Sequence, residues 1–212
     1  MQRVPFGRRT TPVTAGPTCL SRILIPQGAA QADDDWSMGE ALHLFISDAV
    51  ERSLFTLDEL PAEAVAVFRA YELGNELSNI TLASWFSTFG TDPTRVQQTH
   101  QGLETIGALS LARDFETIRQ GETTQISPVD EQAVVGQCSA WVRRWSGTMV
   151  LGDGNHDEHY KRVMRELARC NPAYGERWST LNAHRAGRNL APVTRIEGSP
   201  TNLDELIAEM RG

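Results

Sequence analysis

From Ser37 onward the apolar residues recur every three to four positions, and nowhere does the period of two that marks a half-buried strand persist beyond a few residues. Such a chain buries its apolar stripes by packing helix against helix. The first helix is expected over 37–53, opened by the capping-box pattern Ser37-Met38-Gly39-Glu40, with Leu42, Phe45, Ile46, Ala49 and Val50 on one side. Further helices are expected over 61–77 (Pro61 in the first turn), 94–108, 110–119, 129–145, 157–170, 174–185 and 203–210, the last capped by Thr201 or Asn202. Gly107, Gly121 and Asn171-Pro172 punctuate them. The fold class is all-α, an irregular bundle of about seven to eight helices forming one domain over 36–212.

Residues 1–35 read differently. Pro5, Pro12, Pro17 and Pro26 lie among Arg, Thr, Gly and Ala without either period, which marks a disordered or leader tail. Arg8, Arg9 and the apolar stretch around Leu20–Ile25 sketch a secretory signal that Arg22 interrupts; the acid-free, arginine-bearing start also sketches a transit peptide, and Met38 is an alternative start. At 212 residues, 40% hydrophobic and 22% charged, the chain can bury its own core. No apolar run reaches the ~20 residues of a membrane span. Cys19, Cys138 and Cys170 are too scattered for a disulfide framework or zinc site, so a cytoplasmic setting is expected.

The net charge of −7 divides unevenly: +4 over 1–32, −11 over 33–123 and zero over 124–212. An acidic middle repels nucleic acid and excludes direct binding to it. The densest group of metal-type ligands is Asp153-Gly154-Asn155-His156-Asp157-Glu158-His159. His156 and His159 stand three apart and face one way on a helix, so His156, Asp157 and His159 define an alternative reading as a small metal-dependent hydrolase or metal-binding protein. The simpler role of this stretch is to cap the following helix. Cys138 and Cys170 fall on apolar faces as inert thiols, His43 and His100 read as core or boundary residues, and the five tryptophans read as core anchors. No phosphate-binding glycine loop is present and no cofactor is called for.

Leu60-Pro61, Tyr71, the run Glu76-Leu77-Ser78-Asn79-Ile80-Thr81-Leu82-Ala83-Ser84-Trp85-Phe86, Gly90 and Leu103-Glu104-Thr105-Ile106-Gly107-Ala108 carry a recognisable spacing. Over about 57–120 it resembles the bacterial DNA-mimic protein family. There a helix reading Leu-Pro … Tyr ends in Glu-Val-Asn-Asn-Gly-Gly-Phe-x-Gln-Phe-Phe, and a later helix contains Leu-x-x-Ile-Gly-Ala. Glu76, Asn79, Trp85, Phe86, Gly90, Ile106 and Gly107 are the matching positions, whereas Ile80-Thr81 replaces the glycine pair, Ser84 the glutamine and Thr88 the later asparagine. The resemblance implies a helical, acidic protein, dimeric in the family's named member, that occupies the DNA-binding surface of a transcriptional regulator. Mimicry needs rows of carboxylates, because duplex DNA carries about one charge per 1.7 Å of axis. Glu40, Asp48, Glu51, Asp58, Glu59, Glu63, Glu72 and Glu76 are the candidates for such a face. The expected function is therefore non-enzymatic binding of a protein partner, with a DNA-binding regulator as the implied class.

Overall fold

The computed structural model describes residues 20–34, 36–121, 130–152, 156–198, 208 and 210. Its elements in chain order are β1 (Ile23–Pro26), α1 (Gln27–Gln31), α2 (Ser37–Glu51), a 3-10 turn at Leu57–Glu59, α3 (Ala62–Leu77), α4 (Leu82–Phe89), α5 (Pro93–Ile106), α6 (Leu109–Arg119), α7 (Glu131–Arg144), β2 (Thr148–Leu151), α8 (His156–Cys170) and α9 (Tyr174–Gly187). The all-α class holds. Among the described residues there are nine helices, eight of them seven residues or longer. None is long and apolar enough to cross a membrane. The helix expected over 203–210 lies almost wholly outside the described residues.

At the centre runs α3, whose five successive residues Ala64, Val65, Ala66, Val67 and Phe68 are all buried. A helix apolar all round must be enclosed by others, and α2, α4, α5 and α7 pack around this one. Glycine sets the closest approach. Gly102 of α5 faces the Ala66 carbonyl so tightly that an added Cβ would collide with it. Asp92 caps α5 by accepting from the Thr94 and Arg95 amides, and Gly107 closes it at φ +84, a left-handed conformation that suits glycine.

Three local expectations are corrected. Residues 20–34 do not belong to a tail: Leu20, Ile23, Leu24 and Ile25 are buried, and β1 pairs in parallel with β2, Ile23 opposite Thr148 and Pro26 opposite Leu151. A strand enclosed on both faces shows a continuous apolar run without alternation, which is why periodicity missed it. Secondly, Ser37 is the first residue of α2, and Asp34 caps this end by accepting from the Trp36 and Ser37 amides and the Ser37 hydroxyl. Thirdly, Leu82–Phe89 is helical, begun by the Thr81 hydroxyl accepting from the Ser84 amide. Of the tryptophans, Trp85 is buried, whereas Trp36 is 43% exposed and is no core anchor.

Gly102→Ala is expected to force α3 and α5 apart and to destabilise the chain by about 2–3 kcal/mol. Denaturant unfolding followed by circular dichroism measures this; an unchanged midpoint would mean that the two helices do not meet so closely.

Candidate functional site

The acids of α2 separate into two kinds. Glu40, Leu44, Ser47 and Glu51 share one stripe of the helix, because four-, seven- and eleven-residue steps return to nearly the same face. Glu40 and Glu51 are exposed, about 16 Å apart along the axis. Between them Leu44 is 52% exposed. Asp48 is turned aside and pairs with Arg52 at 2.7 Å. Beside this stripe a cleft of about 200 Å³ is lined by Pro26, Ala41, Leu44, Tyr160, Lys161 and the Asp48–Arg52 pair. The Tyr160 hydroxyl at its wall is shielded from water and interacts with the Asp48 carboxylate. Burial, and secondarily the Asp48 charge, push its pKa up, so it stays a neutral donor.

Asp58 is exposed, but its neighbour Glu59 is only 3% exposed and serves the fold. The Thr56 amide and hydroxyl donate to Glu59 Oε2 at 2.8 and 3.0 Å, while Arg177 of α9 donates bidentately at 2.5 and 3.0 Å. The Arg177 bond is the main reason that the Glu59 pKa is lowered despite burial, with Thr56 adding to it. The same guanidinium donates to the Leu54 carbonyl, as does Asn171, and so holds Leu54 at φ +55. Glu63 is exposed but accepts from the Trp145 indole at 2.8 Å.

Glu72 and Glu76 enter a network between α3, α4 and α5. Arg69 pairs with Glu72 at 2.5 Å, and Arg95 reaches Glu72 at 3.6 Å and Glu76 at 3.2 Å. The Trp85 indole donates to Glu76 at 2.5 Å, and Arg95 also lies 3.8 Å from the centroid of Phe89. Desolvation dominates at Glu76 and raises its pKa, with Arg95 and Trp85 opposing. The motif positions are thereby accounted for as structure: Glu76 and Trp85 lock α3 to α4, Phe86 packs on Phe115 with centroids 4.6 Å apart, Ile106 is buried and Gly107 ends α5. Asn79 is exposed and donates to Ser78; Gly90 follows α4 in ordinary helical conformation.

The side chains of His156 and Asp157 lie outside the described residues; His159 is half-buried on α8. Among the described residues no group of three metal-type ligands forms. Cys138 is fully buried and desolvation pushes its thiol up to about 12, which makes it inert. His43 stacks on Phe68 with centroids 5.3 Å apart, and His100 lies 3.7 Å from Glu104. These are boundary histidines.

No family model, curated protein or solved structure matches the chain. What the surface does must follow from its chemistry. The eight acids expected to form one electronegative strip do not: Asp48, Glu59, Glu72 and Glu76 are paired with arginine and Glu63 is bonded to tryptophan, leaving Glu40, Glu51 and Asp58 as exposed carboxylates without an ion pair among the described residues. The sequence hid the arginine partners, since Glu59 and Arg177 are 118 positions apart. It also hid Leu44, although its position four residues after Glu40 sets an apolar side chain in the acidic stripe.

Arg177→Ala is expected to cost roughly 2–3 kcal/mol, because it leaves a buried carboxylate and the Leu54 carbonyl short of donors. The sign with pH follows from the lowered Glu59 pKa: the stabilisation is complete above the ordinary value of 4.5 and is lost as pH falls through the folded value. Urea midpoints measured from pH 7 down to about 3 should fall less steeply in the variant; parallel curves would sink the assignment.

Proposed function

We propose that the protein is a non-enzymatic binding module whose α2 stripe engages a protein partner. The reading is carried by Leu44, an exposed apolar side chain flanked on its own stripe by the exposed acids Glu40 and Glu51 and bordering the Tyr160 cleft. Exposed carboxylates steer a basic partner and favour encounter, while an apolar centre supplies the contact that persists once water is expelled. A partner fitting this stripe has basic side chains about 16 Å apart around an apolar residue that enters the cleft. A DNA-binding regulator is one class with such a surface, and it is the class that the resemblance over 57–120 implies. Occupying the regulator by imitating a long phosphate row is not required: two acids around a leucine make an ordinary charged and apolar epitope.

The test is affinity capture from the host extract by the wild-type chain and by Glu40→Lys/Glu51→Lys and Leu44→Ser variants, with circular dichroism as the control for folding. A specific partner is expected to be retained by the wild type and lost from the double charge variant. Leu44→Ser should weaken it by about 1.5–3 kcal/mol, and salt near 0.5 M should diminish it strongly through shorter screening lengths, to about 4–5 Å. Equal retention by the charge variant would refute the proposal.

A further inference from the structure

After α9 the chain turns through Asn189, at φ +56, and runs back along the helix as an extended segment, residues 190–198. Tyr174, Trp178, Asn182 and Arg185 form a row on α9 at successive steps of four, four and three, which keeps them on one face. Each touches the backbone of the returning segment. Ile196 N–H donates to the Tyr174 hydroxyl at 3.1 Å, the Trp178 indole donates to the Val193 carbonyl at 3.0 Å, and Arg185 donates to the Ala191 carbonyl at 2.6 Å. Asn182 takes the Val193 amide at 2.7 Å and reaches its carbonyl at 3.4 Å. Arg169 of α8 extends the row by donating to the Glu197 carbonyl at 2.9 Å.

Bonds to the main chain do not depend on which residues supply it. Side-chain selection comes from three positions: Val193 and Ile196, which help to line a cleft of about 420 Å³ with Met164, Tyr174 and charged residues that include Glu51 and Arg165, and Arg195, whose guanidinium lies 5.5 Å from the Trp178 ring centroid. No residue from 188 to 198 is buried. A segment held by exchangeable polar bonds with little apolar burial opens locally at far lower free energy than the core.

We propose that this face of α9 is a binding site for an extended peptide of a partner protein, with residues 190–198 as its resident intramolecular occupant. The peptide recognised has the pattern aliphatic-x-Arg-aliphatic that the resident Val193-Thr194-Arg195-Ile196 displays. The site adjoins the α2 stripe at Glu51, which lines the same cleft as Val193 and Ile196, and is separate from Glu40 and Leu44. Because the resident segment is tethered, an incoming peptide competes with a high local concentration and gains apparent affinity whenever the resident is weakened.

The experiment uses a fluorescent peptide of residues 190–198 and the full chain. Val193→Ser/Ile196→Ser weakens the occupant without touching α9, and it is expected to bind the peptide at least about tenfold more tightly than the wild type does. Adding Asn182→Ala should reverse that gain by about tenfold, whereas Glu40→Lys, at the end of α2 that does not line this cleft, should leave peptide binding unchanged, which separates this site from the α2 stripe. No tighter binding by the strap variant, or a gain that Asn182→Ala leaves intact, overturns the proposal. Should the strap variant fail to fold, hydrogen exchange of the wild type decides: the Val193 and Ile196 amides must exchange at least about a hundredfold faster than those of α3. Equal protection refutes a displaceable segment.

Discussion

Everything in this fold is arranged around the enclosure of α3. Its small residues Ala66, Ala70 and Gly74, with Gly102 and Gly39 on its neighbours, let four helices approach a fifth closely enough to leave it almost no solvent-facing side. A Cβ on Gly74 would press on Val134 at 3.1 Å, and one on Gly39 would press on the Tyr71 ring. Close packing of this kind exchanges side-chain volume for many dispersion contacts. It also has an electrostatic consequence. A charged residue on an enclosed helix cannot be left without a counterion, so Glu72 and Glu76 acquire Arg69, Arg95 and Trp85, and Glu76 still carries a raised pKa.

The same enclosure explains why counting acids overstated the negative surface. Charge on α2 is available where the helix faces solvent, at Glu40 and Glu51, and is consumed wherever a helix is covered. Whether an acid is a recognition element or a structural one depends on the burial of its helix, and not on its place in a charge block. Trp85 and Glu76 make the point within the motif itself: their spacing fits a bond that ties two helices together, and a motif of this kind constrains the fold more than the activity.

The helices were legible because a 3.6-residue stripe is a local property. Seven of the elements, from α2 to α9 with α4 excepted, lie where periodicity puts them to within a few residues. Less legible was β1, whose four residues are apolar throughout and acquire their strand partner at Thr148–Leu151, more than a hundred positions away. α4 was hidden for another reason: its eight residues follow a Thr cap between the helices expected over 61–77 and 94–108, and are too few to show a clear period. The candidate site was legible in composition only, since pairing between Glu59 and Arg177 and the exposure of Leu44 are tertiary facts.

Arginine is where the composition finds its structural use. Nineteen of the twenty basic residues are arginine, and several of them act on carbonyls. Arg143 donates to the carbonyls of Ala32 and Asp34, Arg177 to that of Leu54, Arg169 to that of Glu197 and Arg185 to that of Ala191. A planar fork with five donors can hold a turn and a carboxylate at once, as Arg177 does; an ammonium is a compact point charge without that fixed geometry. Loops here are fastened by side chains of helices, which satisfies their backbone without burying it. Fastening of this type orders a segment while leaving its backbone near solvent, as in residues 190–198, none of which is buried.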